Sequence, residues 1–205
     1  MNYTTILSDS QSQFEDDSAE FLAAIPRLVT AAENRIFKDV PNLPPFRTTG
    51  TGSMVTGTST LTKPTGCRMV RQVSYTNGSS AEVFLERRID SFIKDYWPTV
   101  ATTAAPLFFA ENADDLILVG PTPDSTYAYT VYYLRVPTGL SSSNETTELG
   151  DKYENVLVYG TYWECAKFLV DTEAAAVWEK DYKEEIAKLQ QEVGRIYRNE
   201  YGSGV

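Results

Sequence analysis

The common hydrolytic mechanisms rely on a histidine, and this 205-residue chain has none. That removes at once the most frequent general base, the Ser-His-Asp and Cys-His arrangements, and the HExxH zinc helix. Few other groups are placed for chemistry. Cys67 and Cys165 lie far apart and form no CxxC pair, so they read as two reduced thiols, neither a disulfide framework nor a zinc site. Adjacent carboxylates occur at Asp16-Asp17 and Asp114-Asp115. A cation site or an acid and base pair needs converging oxygens, but adjacent side chains point apart, so a helix cap and a turn explain these pairs better. Gly50-Thr51-Gly52-Ser53 faintly resembles a phosphate loop, yet no Gly-Lys-Ser and no helix follow it, and a β-turn or bulge is expected. Glu86-Arg87-Arg88 could anchor an acidic group of a partner, although such a triplet reads first as a solvated face. Sequons at Asn77 and Asn144 carry no weight in a chain with no visible secretory route. No catalytic residue, metal ligand or cofactor is assigned from the sequence, and the chain is expected not to be an enzyme.

The formal charge is −10, and the Lys and Arg residues are scattered without forming a stripe that could hold a phosphate backbone. High-affinity nucleic-acid binding is therefore not expected, and an acidic wall along a DNA conduit would keep the polyanion from sticking. No run reaches the roughly 18 apolar residues of a membrane span, and Met1–Ser10 lacks a basic segment followed by an apolar one. With 42% hydrophobic and 12% aromatic residues the chain can bury one good core, and one domain covering 1–205 is expected.

These residues must be carried by helices at both ends and strands between. Asn2 can cap a short helix to Phe14, and a better helix begins near Asp17, with Glu20 completing a capping-box pattern. Phe21, Leu22, Ile25, Leu28, Val29, Ala32 and Ile36 recur at helical spacing along one stripe, which Pro26 should kink or divide, ending by Val40. From Phe46 to Tyr75 the pattern turns to short-period Thr, Val, Gly and Ser, with Leu61, Met69, Val70 and Val73 as inward candidates. Asn77-Gly78 signals a hairpin, Glu86 to Tyr96 a short helix, and 107–110, 116–119 and 127–136 three more strands of an antiparallel sheet. Ser141 to Asn144 is expected to be a flexible linker, after which 151–170 and 172–197 form two helices. In the last of these Tyr182, Ile186, Leu189, Val193 and Ile196 line one face, and Glu184 is spaced to pair with Lys188.

Four local patterns resemble the head-to-tail adaptor (connector) proteins of short-tailed bacteriophages. Phe21-Leu22-Ala23-Ala24-Ile25-Pro26-Arg27-Leu28 through Ala32-Glu33-Asn34-Arg35-Ile36 is similar to their first long helix. Leu116 to Asp124, with its Pro-x-Pro-Asp turn, followed by Tyr127–Tyr133, is similar to their strand, turn and tyrosine-rich strand. Leu157-Val158-Tyr159-Gly160-Thr161 and Trp178 to Leu189, with the ending Arg198-Asn199-Glu200-Tyr201, fit their final helical pair. The proline cluster 41–45 and the Gly- and Thr-rich stretch 48–60 depart from that pattern.

The resemblance implies an α+β fold: a helical bundle from residues 1–45 and 151–200, an inserted β-rich lobe at 46–137, and a tail at 201–205. It also implies a structural virion protein, assembled in the host cytoplasm. Copies would form a dodecameric ring on the portal protein, with a tail nozzle or tail fibres below and the genome passing through unbound. Ile196, Tyr197, Arg198, Tyr201 and Val205 are then candidate portal contacts, and Phe46, Arg47, Phe108, Tyr129 and Tyr132 candidate contacts to a neighbouring subunit or the nozzle. A stopper or nozzle subunit is the alternative, and after it a histidine-free carboxylate hydrolase, which would need two carboxyls facing across a cleft.

Overall fold

The computed structural model describes residues 1–113 and 115–201, apart from the side chains of 113 and 196–201. The chain opens with α1 (Tyr3–Phe14) and α2 (Ala19–Asp39), followed by a 3-10 turn at Pro44–Phe46. Strands β1 (Arg47–Ser53), β2 (Thr60–Thr62), β3 (Cys67–Thr76), β4 (Glu82–Phe84) and β5 (Glu86–Arg87) precede α3 (Asp90–Tyr96). Then come β6 (Thr103–Ala104), β7 (Phe108–Ala113), β8 (Leu116–Gly120), β9 (Thr122–Pro123) and β10 (Ala128–Arg135). Three helices close the chain: α4 (Glu148–Lys152), α5 (Glu154–Phe168) and α6 (Thr172–Tyr201). The fold is α+β, as the order of patterns predicts. It divides into a helical unit, Met1–Phe46 with Pro137–Val205, and a β unit, Arg47–Val136.

In the helical unit, Asn2 caps α1 by accepting the Thr5 amide at 2.8 Å. The cap of α2 is Ser18, whose hydroxyl accepts the Phe21 amide at 3.2 Å, and not the expected Asp17. The acidic pair is spent on the approach: Asp16 accepts the Ser18 amide and Asp17 the Gln11 side chain, both at 2.7 Å. Helix α2 runs through Pro26 without dividing. An interior proline costs about 3 kcal/mol or more. Here Phe21 and Ile25 before it, and Leu28, Val29 and Ile36 after it, are buried in one core with Leu157 and Cys165 of α5 and Tyr182, Ile186 and Leu189 of α6. Burial on both sides holds the axis together where local propensity would break it. Residues 141–144 are not a loose linker: Ser141 and Asn144 bridge through their backbones, and the Asn144 amide donates to the carbonyls of Thr138 and Gly139 at 3.1 and 2.8 Å. On α6, Lys188 pairs with Glu185, while Glu184 faces Lys180 at 3.9 Å, so the expected Glu184 to Lys188 pair is replaced by neighbours on either side.

The β unit stacks two sheets with strand orders β1-β10-β3-β4 and β2-β8-β7-β5. Met54, Leu61, Val70, Val73, Leu85, Phe109, Ile117, Val119, Val131 and Tyr133 form their common core. The alternation along β10 is real: Val131 and Tyr133 are buried, while Tyr132 between them lies on the other face. Met69, expected to point inward, is exposed, being one residue out of phase with Val70. The hairpin at Asn77 forms, but with a longer loop: the Asn77 carboxamide accepts the amides of Ser79 and Ala81, and the left-handed φ of 60° falls at Ser80. Residues 86–96 are not one helix. Glu86–Arg87 pairs in parallel with Phe108–Phe109, and the helix starts only at Asp90. The sheets are thus antiparallel except for this short pairing and that of β6 with β9.

Candidate functional site

Gly50-Thr51-Gly52-Ser53 lies within β1, so it cradles no phosphate. Its glycines admit large neighbours. A Cβ on Gly52 would stand 2.6 Å from the Tyr129 ring, and one on Gly50 would stand 2.8 Å from Pro64. Among the described residues no group of His, Cys, Asp or Glu is arranged to hold a metal ion. Both cysteines are free thiols; Cys165 is buried, and burial pushes its pKa up to about 12. The Pro-x-Pro-Asp turn is held by the Tyr127 hydroxyl, which donates to Asp124 at 2.7 Å, and that bond raises the tyrosine pKa to about 12.

What the β unit offers is surface. Around α3, the rings of Phe92, Tyr96, Trp97 and Phe108 follow one another at centroid distances of 4.6 to 5.8 Å. The Arg88 guanidinium lies 5.4 Å from the Phe92 ring and 5.6 Å from that of Phe108. Ile89 and Tyr96 at this place are 70% and 68% exposed, and Leu107 and Val100 are exposed too. Beside the rings opens a hollow of about 290 Å³ lined by Ile93, Trp97, Pro98, Val100, Leu118 and Thr122 among others. Stacked aromatics with an arginine are the composition that fully buried interface centres favour. The triplet Glu86-Arg87-Arg88 is exposed, as a solvated face would be, and its arginines also make contacts. Arg88 covers rings, and Arg87 donates to the Val70 carbonyl at 3.0 Å while pairing with Glu111.

The outer face of the sheet containing β10 forms a second surface. There Tyr132 donates to Glu82 at 3.0 Å and its ring lies 6.2 Å from that of Phe84, which is 49% exposed. The helical unit contributes an open groove of about 470 Å³, where Asp151, Glu154, Glu185 and Glu192 surround Tyr153, Val156 and Leu189.

Of the contact candidates, Phe108 belongs to the aromatic cluster and Tyr132 to the outer sheet face. Arg47 begins β1 opposite Leu134. Tyr129 turns inward, its ring against Gly52. Phe46 is 1% exposed and packs edge-on against Phe37 at 5.1 Å, so its side chain has no surface to offer a neighbour. Val205 lies outside the described residues, as do the side chains of Ile196, Tyr197, Arg198 and Tyr201, whose backbone continues α6. Sequence reasoning did not single out the exposed Phe84, Ile89 and Tyr96, while Leu107 begins a segment it had named. The available signal was aromatic density next to Arg88, obscured by reading 86–96 as a single helix.

A search of curated proteins finds no match. The sequence profile described as SU10 adaptor protein matches residues 1–203, which takes in both units. By that match over nearly its whole length, the protein belongs to the SU10 adaptor protein family, a family of phage head-to-tail adaptors.

Proposed function

We propose that this phage adaptor protein works as a ring, dodecameric by the family resemblance, seated on the portal protein with the tail nozzle or tail fibres attached below. The observation that carries the reading is the family match over residues 1–203. In this reading residues 1–205 act as one adaptor domain, with the end of α6 and the residues after it toward the portal and the β unit toward neighbouring copies or the nozzle. No bond is made or broken; the work is repeated burial of surface, and each head-to-tail interface closes by rotation. The genome passes through the centre, and the charge of −10 keeps the wall from binding it. The aromatic surface around Phe92 and Phe108 supports a role in contacts, since it leaves Ile89 and Tyr96 exposed in the single chain.

Sedimentation of the purified chain, alone and mixed with its portal rings, tests the reading. A complex with a fixed number of adaptor copies per portal is expected. A chain that remains at 22.9 kDa in the presence of portal would overturn it.

A further inference from the structure

The sheet β1-β10-β3-β4 ends in two open edges, and their geometry makes them complementary to each other. The register along β1 and β10 runs Arg47↔Leu134 through Ser53↔Ala128. One step further, the Met54 amide donates to the Tyr127 carbonyl at 2.8 Å, so that opposed pair is hydrogen-bonded. In an antiparallel ladder bonded and non-bonded pairs alternate. Thr48, Gly50 and Gly52 therefore direct their backbone groups at β10, and Thr49, Thr51 and Ser53 direct theirs away from the sheet. All three of the latter are exposed, and among the described residues no hydrogen bond is made to their outward backbone groups.

The opposite edge follows the same rule. The Leu85 amide donates to Val73 at 2.9 Å and the Asn77 amide to Ala81 at 3.0 Å. Both pairs are in register with Ser74↔Phe84. Glu82 and Phe84 are thus the residues of β4 whose N–H and C=O groups face outward.

Natural sheets protect their edges with proline, charge, bulges or shortness. Strand β4 is short, but β1 runs over seven residues, has no proline and carries no charge after Arg47. Strand direction adds a further condition. All the pairings in this sheet are antiparallel, so β1 and β4 run in opposite directions. A second copy placed beside the first in the same orientation would set its β1 antiparallel to β4. Two outward residues of β4 would then meet two outward residues of β1. Thr51 and Phe84 lie on the same face, through the row Thr51, Thr130, Ser74 and Phe84. The threonines of the arriving strand would therefore cover the exposed Phe84 ring.

From this we infer that adjacent copies join head to tail by β-strand addition, β1 of one chain on β4 of the next, so that the outward groups of Glu82 and Phe84 pair with two successive residues of the outward row Thr49, Thr51 and Ser53. A second copy is favoured over a foreign peptide because both halves of the joint lie on this chain and their directions already agree. A heterologous joint of this kind closes as a ring when the rotation between neighbouring copies closes, and grows into an open filament when it does not. The inference rests on the ring reading and specifies its seam.

The experiment uses the full chain assembled with its portal. Thr51→Pro deletes an N–H that points away from β10, so it leaves the internal ladder intact, and proline is tolerated on edge strands. Wild-type circular dichroism with loss of the ring, the adaptor sedimenting as single chains, is the expected result. A folded Thr51→Pro that forms rings like the wild type would overturn the seam while leaving the ring reading intact; failure of the wild type to assemble would overturn both. If Thr51→Pro fails to fold, the inference is tested in a Cys67→Ser background by mixing Thr51→Cys and Glu82→Cys subunits with a short bismaleimide. Cross-linked dimers in the mixture, absent from either variant alone, are expected. Cross-linking of Thr51→Cys to itself, or none in the mixture, would overturn it.

Discussion

Replacing Glu164 by Gln should soften the helical unit, in a way that depends on pH. The carboxylate is 7% exposed and lies between two cations. Arg35 Nε donates to its Oε1 at 2.8 Å with a second bond from the same guanidinium, and Lys167 Nζ donates to Oε2 at 2.5 Å. Both cations also cover the Trp163 ring, at 4.2 and 5.0 Å. Breaking a buried ion pair costs about 3–5 kcal/mol. Arg35 and Lys167 are 33% and 40% exposed, so water recovers part of the loss and about 2 kcal/mol is expected. For a chain of this length that lowers the melting temperature by about 4–8 °C. Burial alone would raise the carboxyl pKa, but the bonds from Lys167 and Arg35 outweigh it and hold the value below the ordinary range. A depressed folded pKa contributes stability that is present above the unfolded value, about 4.3 for Glu, and is lost as pH falls through the folded one. The melting difference between wild type and Glu164→Gln, followed by circular dichroism, should therefore be full at pH 7 and shrink below about pH 4. Equal melting at pH 7, or a gap that widens in acid, would refute the reasoning.

Glu33 should behave with the opposite sign. One of its oxygens accepts the Leu140 amide at 3.0 Å, the other is buried without a hydrogen-bond partner among the described residues, and burial raises its pKa. Its favourable contribution is complete below the unfolded value and is lost as pH rises through the raised one, so Glu33→Gln should gain about 1 kcal/mol at pH 7 and nothing in acid, as read from melting curves. Gly52→Val should cost about 1–3 kcal/mol by overpacking against Tyr129, measured by urea unfolding. The added Tyr129→Ala should recover part of that loss, and strict additivity would count against the contact. In thiol titration with an aromatic disulfide, half-buried Cys67 should react in the folded protein and Cys165 only after unfolding; equal rates would contradict the burial of Cys165.

Where apolar spacing dominated, the fold was legible. The stripe of α2, the face of α6 from Tyr182 to Val193 and the alternation of β10 each encode one periodicity, and the structure buries those residues accordingly except Leu22, which lies at the margin of its stripe and is exposed. Local signals misled where tertiary contacts override them. Pro26 left a kink or a division open, and the helix does not divide, because the residues flanking it share a core. The serines before Asn144 suggested slack, but a single carboxamide ties the turn to two carbonyls. Residues 86–96 have helical spacing, and only the pairing of Glu86–Arg87 with β7, a partner far along the chain, splits them. The exposed aromatic surfaces were half legible for the same reason. Phe108 and Tyr132 stood out as aromatic residues in strands, whereas the exposure of Phe84 and Ile89 follows from strand pairing that no local window contains. Phe46 was a candidate because the resemblance places the start of the sheet at a contact, yet its ring packs on Phe37 near the end of α2 and is buried.

The central claim is that the chain works by joining copies of itself between head and tail, and a cryo-electron microscopy reconstruction of the assembled phage particle tests it most directly. A cyclic ring of this chain between the portal and the tail is the predicted result. Particles in which the chain is absent, or occurs as isolated copies elsewhere on the virion, would contradict it.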